Sequence, residues 1–117
     1  MIHVSIYRNH NQDILSFTME GHADYAPHGQ DLVCAAATAV SFGTINAIEQ
    51  LCGYEPEVTT VDDGGFLEFN IPDEIKNSSF QQTQLLLEGM IVSLATIEAG
   101  YKKYIKLTQH EGGGTNA

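Results

Sequence analysis

Residues 31–53 read DLVCAAATAVSFGTINAIEQLCG, and no proline interrupts them. Val33, Ala37, Val40, Thr44, Ala47, Ile48 and Leu51 recur at the helical period, so a helix is expected over about Leu32 to Cys52. Asp31 stands where an N-cap belongs, and Gly53 where a helix normally stops. Ala35, Ala36, Ala39 and Gly43 keep this helix slim. Phe42 and Ile45 fall away from the main apolar face and are candidates for contact with a second copy.

On the N-terminal side, IHVSIYR alternates Ile2, Val4 and Ile6 with His3, Ser5 and Tyr7, the period of a half-buried strand. NHNQ reads as a turn and DILSFTME as the returning strand, together a β-hairpin. On the C-terminal side, EVTTVDDGGFLEFNI reads as a second hairpin turning at DDGG and ended by Pro72. SSFQQ places a serine and a glutamine three apart, the pattern of a capping box. A second helix follows to about Gly100, with Phe80, Leu87, Met90, Ile91, Leu94 and Tyr101 on one side. YIKLTQH reads as a last strand. The order ββαββαβ predicts an α+β fold of two layers, with two helices on one face of a largely antiparallel sheet of four to five strands. Residues 1–110 are expected to form a single domain and 111–117, EGGGTNA, a flexible tail.

Fifteen acidic residues face five lysines and arginines, a formal net charge of −10. Such a surface repels nucleic-acid phosphates and anionic lipid and attracts basic partners. No stretch reads as a membrane span of ~20 apolar residues or as a secretory leader. The expected location is cytoplasmic, with thiols reduced.

The chemistry concentrates in GHADYAPHGQDLVCAAA, residues 21–37. With Asp31 as N-cap, Cys34 falls in the first helical turn, where free N–H groups and the helix dipole would favour a thiolate. The backbone N–H groups of Cys34 and Ala35 are then candidate donors to an oxyanion. Against this stands the buried-hydrophobe role of many cysteines. Cys34 and Cys52 sit about 27 Å apart along one continuous helix, too far for a disulfide, and Cys52 reads as structural. Two histidines could serve as base. His22 directly follows Gly21 at the end of a strand, whereas His28 lies mid-loop between Pro27 and Gly29, so positioning favours His22. His22, Asp24, His28, Asp31 and Cys34 are all zinc-ligand types, but their spacing fits no compact metal motif. A phosphatase loop would need an arginine that the stretch lacks. No cofactor or metal is expected.

GHA at 21–23 followed by GQDLVCAAATA from Gly29 resembles the ribosomal-processing cysteine protease family, Prp. The likeness extends over nearly the whole chain, including the helix LLLEGMIVSLATI. Leu32 stands where the family usually has isoleucine, and Ala37 where valine is frequent. The resemblance implies a homodimeric cysteine endopeptidase that trims the N-terminal extension of large-subunit ribosomal protein twenty-seven. It implies Cys34 as nucleophile and His22 as base, with Asp31 either orienting His22 or capping the helix. It also implies a mobile loop over residues 23–30, hinged at Gly21 and Gly29. From the residues alone, a non-catalytic acidic dimeric module binding a basic partner remains the alternative.

Overall fold

A computed structural model describes residues 1–21, 28–61 and 65–111 of the chain, the side chains of 28–30 excepted. Seven elements follow in the expected order: β1 (Ile2–Arg8), β2 (Ile14–Glu20), α1 (His28–Cys52), β3 (Glu57–Thr60), β4 (Phe66–Asn70), α2 (Asn77–Gly100) and β5 (Ile105–His110). The strands form one sheet in the order β3-β4-β2-β1-β5. Neighbours pair antiparallel except β1 and β5, which run parallel because α2 carries the chain back across the sheet. The fold is α+β with a mixed five-stranded sheet.

Alternation in the strands builds the core. Ile2, Val4 and Ile6 of β1, Phe17 and Met19 of β2, and Leu67 and Phe69 of β4 are all fully buried, while intervening residues such as His3 and Tyr7 stay exposed. Phe17 and Phe69 are register partners and stack at 5.2 Å between ring centres. In the β1–β2 turn, the Asn9 carboxamide oxygen accepts the N–H groups of Asn11 and Asp13 at 2.9 and 3.0 Å. Gln84 of α2 clamps the start of β2, accepting the Ile14 N–H at 2.7 Å and donating to the Ile14 carbonyl at 2.8 Å. Arg8 grips Glu88 of α2 at 2.6 Å. The guanidinium holds the Glu88 carboxyl below its usual range.

Several sequence readings need correction. α1 begins at His28, not after Asp31, so Asp31 is an acidic residue of the first turn instead of the N-cap. An acid favours either place, as a cap or as a complement to the dipole, and Pro27 just upstream in sequence is the better start signal. The buried face of α1 is Val33, Ala37, Ser41, Ile45, Ile48 and Cys52. Ile45 is therefore core and Phe42 half-buried against it, whereas Leu51 is 71% exposed. Ser41 disguised this face: it is polar but fully buried, with its hydroxyl 3.7 Å from the Met19 sulfur. Ser78 and Ser79 cap nothing, because α2 starts at Asn77 behind Lys76 and has no side-chain cap. Ser79 instead donates to the Cys52 carbonyl at 3.1 Å, tying the start of α2 to the end of α1. Tyr101 is the C-cap of α2, its N–H bonded to the Ile97 carbonyl at 2.9 Å. α1 is by length and composition apolar enough to cross a membrane, a test that the core helix of a packed domain also passes, and its Val33, Ala37, Ile45 and Ile48 are buried in the core. Residues 62–64 of the DDGG turn and the tail from residue 112 lie outside the described residues.

Candidate active site

Cys34 is the seventh residue of α1, half-buried and packed against the core. Thr38 and Phe42, one and two turns further on, are half-buried as well, so the three form one row along the helix. The sequence reading missed this row because it placed Phe42 on the solvent side; the spacing of four from Cys34 was the available signal. Cys52 is a second free cysteine, buried at the far end of the same helix.

The start of α1 changes the expected electrostatics. Cys34 and Ala35 lie in the second turn of α1, so their N–H groups point to the carbonyls of residues 30 and 31 inside it. Cys34 and Ala35 are therefore not ready oxyanion donors in this conformation. Burial pushes the Cys34 thiol up from its ordinary value, the Asp31 carboxylate adds to the shift, and the α-amino group of Met1 opposes it. Asp31 is exposed in the first turn, one turn before Cys34. Asp31→Asn should leave the helix in place, change stability by no more than about 1 kcal/mol, and speed alkylation of Cys34 by iodoacetamide at a fixed pH of about 8. An unchanged alkylation rate would show that the carboxylate is not felt at the sulfur.

Gly21 closes β2 with a φ of +91°, a conformation that favours glycine, and its N–H donates to the Gly65 carbonyl at 3.2 Å. A β-carbon there would collide with the Met1 carbonyl oxygen. The chain thus leaves β2 packed against Met1, the residue before β1. His22 itself, with residues 23–27 of the expected loop, lies outside the described residues. Residues 28–30 belong to α1, so Gly29 is the second residue of a helix and not a loop residue.

An apolar groove of about 400 Å³ runs between the start of α1 and the end of α2, lined by Leu32, Val33, Ala35, Ala36, Ile97 and Tyr101. It does not serve Cys34. Leu32 and Ala36 are one turn apart, and Cys34, midway between them, faces the other side of the helix.

The Met1 amino group is felt at the Cys34 thiol and the Met1 carbonyl adjoins Gly21, so the thiol and the strand end that precedes His22 in sequence share one region, the framework of a thiol-dependent hydrolase. Comparison with known proteins makes this particular. Residues 1–106 match the family described as Cysteine protease Prp. The Ribosomal processing cysteine protease Prp of Bacillus subtilis is 51% identical over 108 residues, covering 92% of this chain and 96% of that one. The crystal structure of the ribosomal processing protease Prp from Staphylococcus aureus in complex with a substrate peptide superposes with a TM-score of 0.84 at 37% identity, covering 94% of this chain and all of that one. A second Staphylococcus aureus structure, holding a covalently linked product peptide, gives 0.80 at 39% identity, with coverage of 94% and 100%. The chain belongs to the Prp family of cysteine proteases. It is an enzyme, and the alternative of a non-catalytic binding module falls.

Proposed function

We propose that the chain is a cytoplasmic, homodimeric processing endopeptidase that removes the N-terminal extension of large-subunit ribosomal protein twenty-seven, with Cys34 as nucleophile and His22 as base. The observation that carries this reading is Cys34 itself, a free, half-buried cysteine on α1 of a chain that belongs to a cysteine protease family. The name of the Bacillus subtilis relative supports a ribosomal substrate. The charge supports it too, since a net −10 enzyme draws in a basic ribosomal protein through long-range attraction that salt weakens.

Burial and the Asp31 carboxylate both favour the thiol over the thiolate, so the proposed mechanism needs a base. His22 takes the proton from the Cys34 sulfur, and the sulfur attacks the scissile carbonyl carbon to form a C–S bond. Collapse of the tetrahedral intermediate breaks the C–N bond, with His22 returning the proton to the leaving amine. Water, deprotonated by His22, then hydrolyses the thioester and restores the thiol. Gly21 supports the base by fixing the direction in which the chain leaves β2.

Incubation with the extended ribosomal protein should yield two products, the trimmed protein and the released extension, whose masses together equal the substrate plus one water. His22→Ala should lower the rate by at least about 10³-fold, and His28→Ala by less than about threefold. An intact substrate would refute the substrate assignment, and the reverse ranking of the histidines would exchange their roles.

A further inference from the structure

The face of the sheet opposite the core is open, and the strand register lays out its side chains in rows. Ile6, Phe17 and Phe69 are buried in the core, so their neighbours Tyr7, Ser16 and Asn70 turn to the open side. Pairing carries this row to both edges as His110, Tyr7, Ser16, Asn70 and Glu57, one residue from each strand. At ~4.8 Å per strand it spans about 19 Å. The row floors a hollow of about 860 Å³. Tyr7 and His110 stack at its β5 end with ring centres 4.8 Å apart. Glu57, Glu68 and Asp73 line it on the β3–β4 side, and Glu111 lines it just after β5.

These carboxylates lack counter-charges within the chain. Among the described residues the only ion pair joins Arg8 to Glu88, so Glu57, Glu68 and Asp73 have no cationic partner. Arg8 also lines the hollow, but Glu88 holds it and Glu111 already adds to its field. Among the described residues no three acidic, histidine or cysteine side chains converge closely enough to hold a metal ion. Carboxylates spread around a long floor suit several positive charges strung along a chain, not one cation.

From this arrangement we propose that the open sheet face is a second substrate-binding surface, which holds a lysine- and arginine-rich extended segment of the substrate at a distance from the cut. The proposal rests on the ribosomal-substrate reading above and says where the basic part of that substrate is held. Lysine and arginine heads pair with Glu57, Glu68 and Asp73, their stems lie on Leu15 and Ile71, and a further cation packs on the Tyr7 ring. Each exposed pair is weak and screened by salt, so grip comes from several at once. An anionic partner is repelled by the same groups.

The surface is separate from the chemistry. Ser16 stands five residues before Gly21, about 16 Å from the strand end that precedes His22, and on the face of the sheet away from α1. Four extended residues reach at most about 14 Å. A peptide of about eight residues centred on the cut therefore reaches the thiol without touching the hollow, whereas the whole ribosomal protein engages both.

Steady-state cleavage by the full chain tests this with Glu68→Lys in the hollow and, as a control of equal charge, Glu49→Lys at an exposed position near the far end of α1. Glu57→Lys, exposed on the edge strand, repeats the test in the same hollow, and thermal melting verifies that each variant folds. With the extended ribosomal protein at about 50 mM salt, Glu68→Lys and Glu57→Lys should each raise KM at least about fivefold with kcat within about twofold, and Glu49→Lys should raise KM by less than about twofold. At about 0.5 M salt the difference between hollow and control should vanish. The short peptide should be cleaved alike by all four proteins. Equal rises in KM for hollow and control variants would reduce the attraction to net charge and overturn the surface. A parallel loss with the short peptide would move the effect to the active site and overturn it as well. Either result leaves the ribosomal substrate standing, whereas wild type that leaves the extended protein intact would overturn both.

Discussion

Replacing Cys34 by alanine is expected to lower cleavage of the extended ribosomal protein by at least about 10⁴-fold, the loss seen when a covalent nucleophile is removed. Stability should change by less than about 1 kcal/mol, because the side chain is half-buried, small and free of a disulfide. Cys52→Ala provides the contrast. That thiol is buried beneath the end of α1, 7% exposed, so its loss should be felt in melting temperature and not in turnover. The two cysteines thus separate the chemistry of a thiol from its packing. Cys34→Ser should be as inactive as the alanine variant, since a serine hydroxyl at this place has a far higher pKa than a thiol and the local field already opposes an anion.

Gly21→Ala should be the second severe lesion, for a different reason. A side chain at φ +91° is strained by about 1–2 kcal/mol, and its β-carbon collides with backbone, not with a flexible side-chain tip. Either Met1 is pushed off the edge of β1 or the chain leaving β2 swings away. A total loss on the order of 2–4 kcal/mol, with a melting temperature lower by at least about 8 °C, is expected. Activity should fall further than stability, by about 100-fold even where the variant remains folded, because displacement of the next residue by about 1 Å misplaces a general base. Wild-type turnover in folded Gly21→Ala would show that this turn does not position the base.

Much of this architecture is legible in the sequence because its elements have clean periods. The alternation in IHVSIYR and the long helical stretch after Asp31 lead to seven elements in the right order. The failures come where two signals compete. Asp31 is equally at home as a cap and as a first-turn acid, so the helix start is read four residues late, and the free N–H groups are misassigned to Cys34 and Ala35 with it. Ser41, polar yet buried against Met19, rotates the inferred core face of α1 toward Leu51 and away from Ile45. The parallel pairing of β1 with β5 is a long-range outcome of the α2 crossover that no local pattern encodes. At the site, chemistry is more legible than geometry: a cysteine and a nearby histidine stand out as residue types, but which N–H groups remain free depends on where the helix begins. With those of Cys34 and Ala35 used inside α1, the oxyanion donors have to come from other groups or from a rearranged first turn.

The most direct test of Cys34 as the nucleophile is to quench the enzyme in acid during turnover of the extended ribosomal protein and weigh it intact. The account predicts a species heavier by the acyl fragment of the substrate, mapped by peptide digestion to Cys34 and absent from Cys52. Turnover without any such adduct, or undiminished turnover in Cys34→Ala, would contradict it.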